Sequence, residues 1–350
     1  MIRFSRARRQ RSALVAAAIA VPLMLSACGT LEDNGGGDAG DGGGGGGDGP
    51  TIVTVPKLTG ISWFERMEEG VNRYAKETDV DAYMQGSGQA DANAQVRVLE
   101  DLLASGVDAL AVVPFQPDAV EQVQARAMQD GVTVITHEAP DIQNADWDIE
   151  AFRNEDYGRN LMDELAKRMN EEGQYAVMVG SLSSATHMAW VTSAIEHQKE
   201  NYPDMQQVGD IIETQDDSQI AYERMRELLG AYPNIKGVQG SASTDVVGVG
   251  QAVDEAGLSD DIAVVGTSVP NDARAGLKSG SIDLITFWDP ADAGYAMNSL
   301  AKAVLDGTEI TEGMDLGVPG YESISIEGKV VYGDKAWITV TKDNVDDYDF

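Results

Sequence analysis

Polar and aromatic side chains follow one predicted strand after another in this 350-residue chain. The candidate ligand-binding residues among them are Lys57, Phe64, Glu138, Asn154, Thr186, His187, Ser268, Trp288 and Asp289. Charged, amide and hydroxyl groups bond to ligand hydroxyls that would otherwise be buried unpaired, and an aromatic ring packs on a C–H face. The set therefore predicts a site for a small, neutral, sugar-like polyol. Trp63 directly precedes Phe64, and the sequence leaves open which of the two rings faces the ligand.

The few histidines and the single cysteine argue against metal or nucleophilic chemistry. The chain has three histidines, and His137-Glu138 lacks the His-x-x-x-His or cysteine partner of a metal site. Ser181 and the serines near it lack the Gly-x-Ser-x-Gly of a nucleophile elbow. The Gly248–Gly250 segment lacks the third glycine of a dinucleotide fingerprint. We therefore expect a binding protein without metal or cofactor, and not an enzyme.

The elements that must position these residues alternate between strand and helix. Short β-branched runs are followed by segments such as Trp63 to Thr78, in which apolar residues recur at helical spacing. Gly106 and Gly131 fall just past two later predicted helices, where a left-handed cap ends a helix. A second series of the same kind begins near Asn154. The pattern predicts two α/β lobes, each a doubly wound, Rossmann-like parallel sheet, with ligand at the carboxyl ends of the strands.

The first fifty residues predict export and a membrane anchor. Five arginines precede an apolar run from Ala13 to Leu25, which is typical of a bacterial secretory signal over residues 1–27. Leu25-Ser26-Ala27-Cys28 resembles the lipobox of bacterial lipoproteins, so Cys28 is the expected lipidation site. Residues 28–50 are mostly glycine and aspartate, which predicts a flexible tether. We expect an extracytoplasmic protein that is lipid-anchored to the cell membrane.

The charge balance limits the partners of the chain. Asp and Glu number 58 and Lys and Arg 25, which gives a formal net charge of −33. A surface of this sign repels nucleic acid and anionic lipid headgroups. We therefore expect no nucleic-acid partner, membrane contact only through Cys28, and a monomer.

Several motifs resemble one known family across almost all of residues 51–350. They are Val55-Pro56-Lys57-Leu58-Thr59-Gly60, Trp63-Phe64, Gly106-Val107-Asp108-Ala109, Phe287-Trp288-Asp289-Pro290 and the terminal segment from Thr341 to Phe350. Together they resemble the periplasmic-binding-protein type 1 family. Within it they are most similar to the autoinducer-2-binding and rhamnose-binding branch of ABC importer proteins.

The resemblance implies two lobes that close on a ligand like a hinge. It implies an N-lobe of residues 51–153 plus 288–318 and a C-lobe of residues 154–287 plus 319–350. The three crossover segments of the hinge are then expected near Asn154, Trp288 and Pro319. The corresponding function is capture of a small sugar between the lobes and its delivery to an ABC permease with its ATPase. A ligand sensor that feeds a membrane receptor is the alternative.

The pocket of the autoinducer-2 branch carries over only in part. Lys57 matches the lysine of that branch, and Glu138 stands where the branch has aspartate. Thr186-His187 replaces its Asp-Gln pair ahead of Trp190, and the Val247–Val249 segment replaces its Pro-x-Ala. With these differences, a deoxyhexose or a pentose fits the pocket at least as well as autoinducer-2.

Overall fold

The predicted alternation of strands and helices is present in the computed structural model, which describes residues 49–334 and 336–350. The predicted signal segment, Cys28 and almost all of the tether lie outside these residues. The strands are β1 (Thr51–Val55), β2 (Asp81–Met84), β3 (Ala109–Val112), β4 (Thr133–His137), β5 (Trp147–Glu150), β6 (Gly173–Val179), β7 (Met205–Gln207), β8 (Ile212–Glu213), β9 (Ile235–Gly240), β10 (Ala263–Thr267), β11 (Leu284–Phe287), β12 (Ser325–Glu327), β13 (Val330–Tyr332) and β14 (Ile338–Val340). The helices are α1 (Ser62–Thr78), α2 (Ala92–Ser105), α3 (Pro117–Gln129), α4 (Asn154–Arg168), α5 (Ala185–Asn201), α6 (Ser218–Ala231), α7 (Asp245–Glu255), α8 (Pro270–Ser279) and α9 (Pro290–Leu305).

The strands form two sheets, each flanked by helices. The first sheet has the order β12-β13-β5-β4-β3-β1-β2, and the second has the order β14-β11-β10-β9-β6-β7 with β8 beside β6. Pairing is parallel except where β12 meets β13 and where β14 meets β11. The predicted fold class, two doubly wound parallel-sheet lobes joined by a three-segment hinge, is confirmed. We call the lobes around the first and second sheets the first lobe and the second lobe.

The chain crosses between the lobes at three places. It leaves β5 of the first sheet for α4, which packs on β9 and β10 of the second. It returns after β11 through Trp288 and Asp289 to α9, which packs on α1 and the first sheet. The last crossing lies between Tyr332 at the end of β13 and Ile338 at the start of β14.

The prediction of a crossing near Pro319 is wrong. Beyond that residue β13 adds to the first sheet in parallel with β5, and β12 folds back on β13 through a turn with Gly328 at φ 62°. Residues as far as Tyr332 therefore belong with the first lobe. These strands have three residues each, which is too short for an alternating apolar pattern to reveal them.

Local sequence signals fix the ends and the packing of the helices near the cleft. The cap that Gly106 was predicted to provide is confirmed, since Gly106 has φ 85° and its N–H donates to the carbonyl of Leu103. In α1, a Cβ on Gly70 would lie 1.8 Å from the carbonyl oxygen of Ala291. The missing side chain thus lets the backbone of α9 lie directly against α1.

The described residues belong to one compact unit, and we call residues 49–350 the body. In this part of the chain, no helix combines the length and the apolar character that a membrane crossing requires.

Candidate ligand-binding site

A cavity lies between the two lobes, at the carboxyl ends of their strands. Its empty space is about 290 Å³ when the part that opens to solvent is included. Its wall consists of Lys57, Ile61, Trp63, Phe64, Glu138, His187, Trp190, Asp216, Ser241, Ser243, Thr267 and Trp288.

The first lobe contributes a buried ion pair between Lys57 and Glu138. Lys57 follows β1 and Glu138 follows β4, and their side chains are only 4% and 3% exposed. Glu138 has the left-handed φ of 60°, a strained conformation for a residue with a side chain, and such strain is typical of functional sites. The strand ends of one parallel sheet thus bring together two residues that are 81 positions apart in the sequence.

Both partners of this pair keep their charge inside the protein. Burial alone would lower the pKa of Lys57, but Glu138 and Asp216 more than compensate and raise that pKa above its usual value. Burial alone would raise the pKa of Glu138, but Lys57 and His137 lower that pKa below its usual value. At neutral pH the cavity therefore offers a charged donor and a charged acceptor side by side, and both bond strongly to hydroxyls.

His187 opens the first turns of α5 and presents a neutral ring to the cavity. Its Nδ1 accepts a hydrogen bond of 3.2 Å from the backbone N–H of Gly180. Burial and the nearby Lys57 lower its pKa to about 3. Because the neutral ring accepts at Nδ1, its proton lies on Nε2. His187 is therefore a hydrogen-bond donor from the second lobe.

Asp216 is the carboxylate of the second lobe. It lies between β8 and α6, is 8% exposed and has a φ of 52°. A Cβ on Gly180 would approach Oδ1 of Asp216 to 2.5 Å, so a glycine at that position leaves the space for the carboxylate. Burial raises the pKa of Asp216, and Lys57 opposes that shift.

Aromatic rings and unpaired polar atoms complete the wall. The rings of Trp63 and Trp288 meet edge to face with centroids 4.7 Å apart, and Trp190 lies 5.9 Å from Trp288. Nε1 of Trp288 and Oγ of Ser241 are buried and have no hydrogen-bond partner among the residues described. Buried polar atoms normally have partners, so these two are available to a ligand. The cavity combines apolar faces with convergent donors and acceptors.

Of the nine predicted binding residues, five line this cavity: Lys57, Phe64, Glu138, His187 and Trp288. Trp63 lines it as well, so both candidate rings face the same space. Asn154 and Ser268 lie behind the wall, where Oδ1 of Asn154 accepts from Nε1 of Trp190 at 2.6 Å and Oγ of Ser268 donates to the carbonyl of Ser243 at 2.7 Å. Thr186 is buried beside His187 and is not part of the wall.

Asp289 has a structural role that differs from the predicted one. Its carboxylate pairs with the guanidinium of Arg66 through two hydrogen bonds of 2.9 and 2.6 Å. It also caps α9 by accepting from the N–H of Ala291 at 2.9 Å. An aspartate followed by proline is a common helix start, so Asp289-Pro290 carries a capping signal and not a ligand signal. Asp289 is absent from the cavity wall.

Asp216 is the main binding candidate that the sequence reasoning missed. The apolar pattern over residues 206–212 predicts a single strand, whereas the structure has two short ones, β7 and β8. Gly209, with φ 69°, lies between them. The sequence still indicates a loop and a helix start here, because polar residues cluster from Thr214 to Ser218 and Asp217 caps α6. A strand of two residues gives no alternation by which its end could be found.

The family model described as "periplasmic binding protein domain" matches residues 52–309. The chain therefore belongs to the periplasmic binding protein family, and the resemblance seen in its motifs is confirmed.

Two curated relatives are similar over most of the chain. The xylitol-binding protein of Mycolicibacterium smegmatis is 26% identical over 344 residues, which cover 95% of this chain and 86% of that protein. The D-allose-binding periplasmic protein of Escherichia coli is 26% identical over 257 residues, which cover 69% of this chain and 80% of that protein.

Solved structures share the fold. LsrB from Clostridium saccharobutylicum in complex with AI-2 has a TM-score of 0.79 at 21% identity, covering 86% of this chain and 100% of that one. A solute-binding protein of Clostridium phytofermentas with bound L-rhamnose has a TM-score of 0.78 at 17% identity, covering 86% of this chain and 98% of that one.

The structural role of Asp289 predicts the behaviour of two matched variants. Asp289→Ala removes the cap of α9 and should lower the free energy of unfolding of the body by about 1–2 kcal/mol, the usual effect of losing a cap. Asp289→Asn keeps a capping side chain and should lose less. Urea denaturation of the ligand-free body measures both values. Wild-type stability of Asp289→Ala, combined with a loss of ligand affinity, would show that Asp289 is a binding residue after all.

Proposed function

We propose that the protein is the substrate-binding component of an ABC importer that captures a small neutral polyol or monosaccharide between its lobes. The observation that carries this proposal is the cavity between the lobes, in which the buried pair of Lys57 and Glu138 lies beside tryptophan faces. A polyol suits both features, since its hydroxyls bond to the charged pair and its C–H face packs on the rings. The importer's permease and ATPase receive the ligand unchanged, so the protein acts without catalysis.

The relatives support a ligand of this size and chemistry. One is named for xylitol and another for D-allose, and both of these compounds are neutral and polyhydroxylated. The cavity wall offers such a compound both charged hydrogen-bonding groups and aromatic faces. Between these two compounds, we place xylitol first for testing, because its binding protein is similar over nearly the whole chain.

The anchor at Cys28 belongs to the same proposal. A signal segment, a lipobox and a glycine-rich tether precede the body in the sequence. A binding protein held on a tether of about twenty residues can turn and reach a permease, since such a chain spans on the order of 25 Å. The family and this leader both support an extracytoplasmic location.

Ligand titration tests the binding function. Thermal-shift and calorimetric titration of the body with xylitol, D-allose, L-rhamnose and D-arabinose should identify a ligand that raises the melting temperature. A ligand at a hundred times its Kd adds about 2.7 kcal/mol of stability. Lys57→Met should weaken binding of that ligand about 10-fold to 100-fold, because it removes a charge-assisted hydrogen bond.

Lys236→Met is the matched control, since Lys236 is exposed at the start of β9 and distant from the cavity wall. It should bind as the wild type does. Mass spectrometry of the recovered ligand should show an unchanged molecule. Equal affinity in Lys57→Met and the wild type would remove the ion pair from the site, and a chemically altered ligand would show that the protein is an enzyme.

Cell fractionation tests the anchor. In a bacterial host, the wild-type protein should sediment with membranes and carry the mass of a lipid on its N-terminal cysteine. Cys28→Ser should remain unmodified and leave the membrane fraction or stay unprocessed, whereas Ser26→Ala should behave as the wild type does. Membrane association of a processed Cys28→Ser protein would contradict the anchor.

A further inference from the structure

Residues 341–350, which we call the strap, are fixed to the second lobe by α8. Nη2 of Arg274, on α8, donates to the carbonyl of Tyr348 at 2.5 Å. The backbone N–H of Asn271, at the start of the same helix, donates to the carbonyl of Phe350 at 2.8 Å. The strap also follows directly on β14, a strand of the second sheet. The strap therefore moves with the second lobe.

The last residue of the strap contacts the first lobe. The guanidinium carbon of Arg66, on α1, lies 4.0 Å from the centre of the Phe350 ring. A cation is attracted to the face of an aromatic ring at distances up to about 6 Å. The position of Arg66 is fixed by its pair with Asp289, and the Phe350 ring packs on Phe287 of β11 with centroids 5.9 Å apart. A ring held by one lobe thus lies against a charge held by the other.

A hydrogen bond joins the same two helices beside this contact. Oγ of Ser62, at the start of α1, donates to Oδ1 of Asp272 on α8 at 2.8 Å. Ser62 and Asp272 are absent from the cavity wall, and so are Arg66 and Phe350. The two contacts therefore join the lobes outside the ligand-binding cavity.

Contacts of this kind act on the equilibrium between open and closed lobes. Their partners belong to different lobes, so separation of the lobes breaks them. A ligand that requires closed lobes has an apparent Kd equal to its intrinsic Kd divided by the fraction of protein that is closed. Contacts that stabilise the closed arrangement should therefore lower the apparent Kd of every ligand by the same factor.

We propose that the strap fastens the second lobe to α1 and thereby sets the affinity of the protein from outside its cavity. The contact of Phe350 with Arg66 is the main part of this device, and the bond from Ser62 to α8 adds to it. The effect on affinity rests on the function proposed above, whereas the effect on the distance between the lobes does not.

Spin labels on the two lobes test the strap without a ligand. The single cysteine of the chain, Cys28, lies outside the body, so Gln89→Cys and Ser218→Cys can be labelled selectively. Both positions are exposed, and they lie on opposite lobes at one open pocket. In the ligand-free body, Phe350→Ala should shift the distances between the labels, measured by double electron–electron resonance, to longer values. Ser62→Ala should do the same, because it removes the second contact and leaves the strap unchanged.

Calorimetric titration gives the second readout. The compounds are xylitol, D-allose, L-rhamnose and D-arabinose. Phe350→Ala and Ser62→Ala should each raise the Kd of every compound that binds the wild-type body about threefold to tenfold. The factor should be the same for each compound, because closure of the lobes is common to all of them.

Two further variants control for disturbance of the strap. Phe350→Tyr keeps an aromatic ring against Arg66 and should retain the wild-type distances and affinity. Asp343→Ala removes an exposed carboxylate of the strap and should also behave as the wild type does. Melting curves without ligand show whether each variant is folded.

The outcomes distinguish the strap from the binding function. Unchanged label distances in Phe350→Ala would show that the strap does not fasten the lobes, although the binding function would stand. A loss of affinity for one compound and not another, or one without longer distances, would also contradict the strap. If the body binds none of the four compounds, the proposed function fails, and the label distances still decide the role of the strap.

Discussion

The ion pair between Lys57 and Glu138 places the strongest physical constraint on this structure. Removal of two charges from water is expensive, and a buried pair repays that cost only with good geometry and further hydrogen bonds. Strands β1 and β4 hold the two side chains together, and the altered pKa values of both residues keep them charged. Such a pair is better suited to binding than to stability, because its remaining hydrogen-bonding capacity can be used by a ligand.

The second lobe makes this pair a site by covering it. Trp190, Asp216 and His187 of the second lobe share the cavity wall with Lys57 and Glu138, and in this arrangement the side chains of the pair are only 4% and 3% exposed. Movement of the lobes requires changes in the three crossing segments, and one of them contains Trp288, which also forms part of the wall. The cavity wall and the hinge therefore share one residue. Closure around a ligand is a common use of such a hinge.

Much of the fold followed from the sequence, because helices and parallel strands leave strong periodic patterns. The strand ends also placed Lys57 and Glu138 on the same side of the first sheet, since the parallel strands of one sheet end at the same edge. The crossing predicted near Pro319 was wrong because strands of three residues have no readable period, and tertiary pairing with β5 determines where they lie. Asp289 caps α9 and is absent from the cavity wall, and a helix cap and a binding carboxylate look alike in a sequence.

Asp216 lines the cavity but was not among the predicted binding residues. Its position in the wall depends on a left-handed backbone and on the missing side chain of Gly180, which come from separate parts of the chain. None of these features can be read from the residues around Asp216. The positions of the side chains in the cavity between the lobes depend on how the whole fold assembles. The location of the cavity itself follows from the pattern of strands in the sequence.

A crystal structure of the body with its polyol ligand tests the central claim most directly. The account predicts one ligand molecule between the lobes, with oxygen atoms at about 2.7–3.2 Å from Nζ of Lys57 and from the carboxylate of Glu138. It also predicts an aromatic ring of the wall against a C–H face of the ligand. A ligand bound outside this cavity, or one whose hydroxyls make no contact with Lys57 and Glu138, would contradict the account.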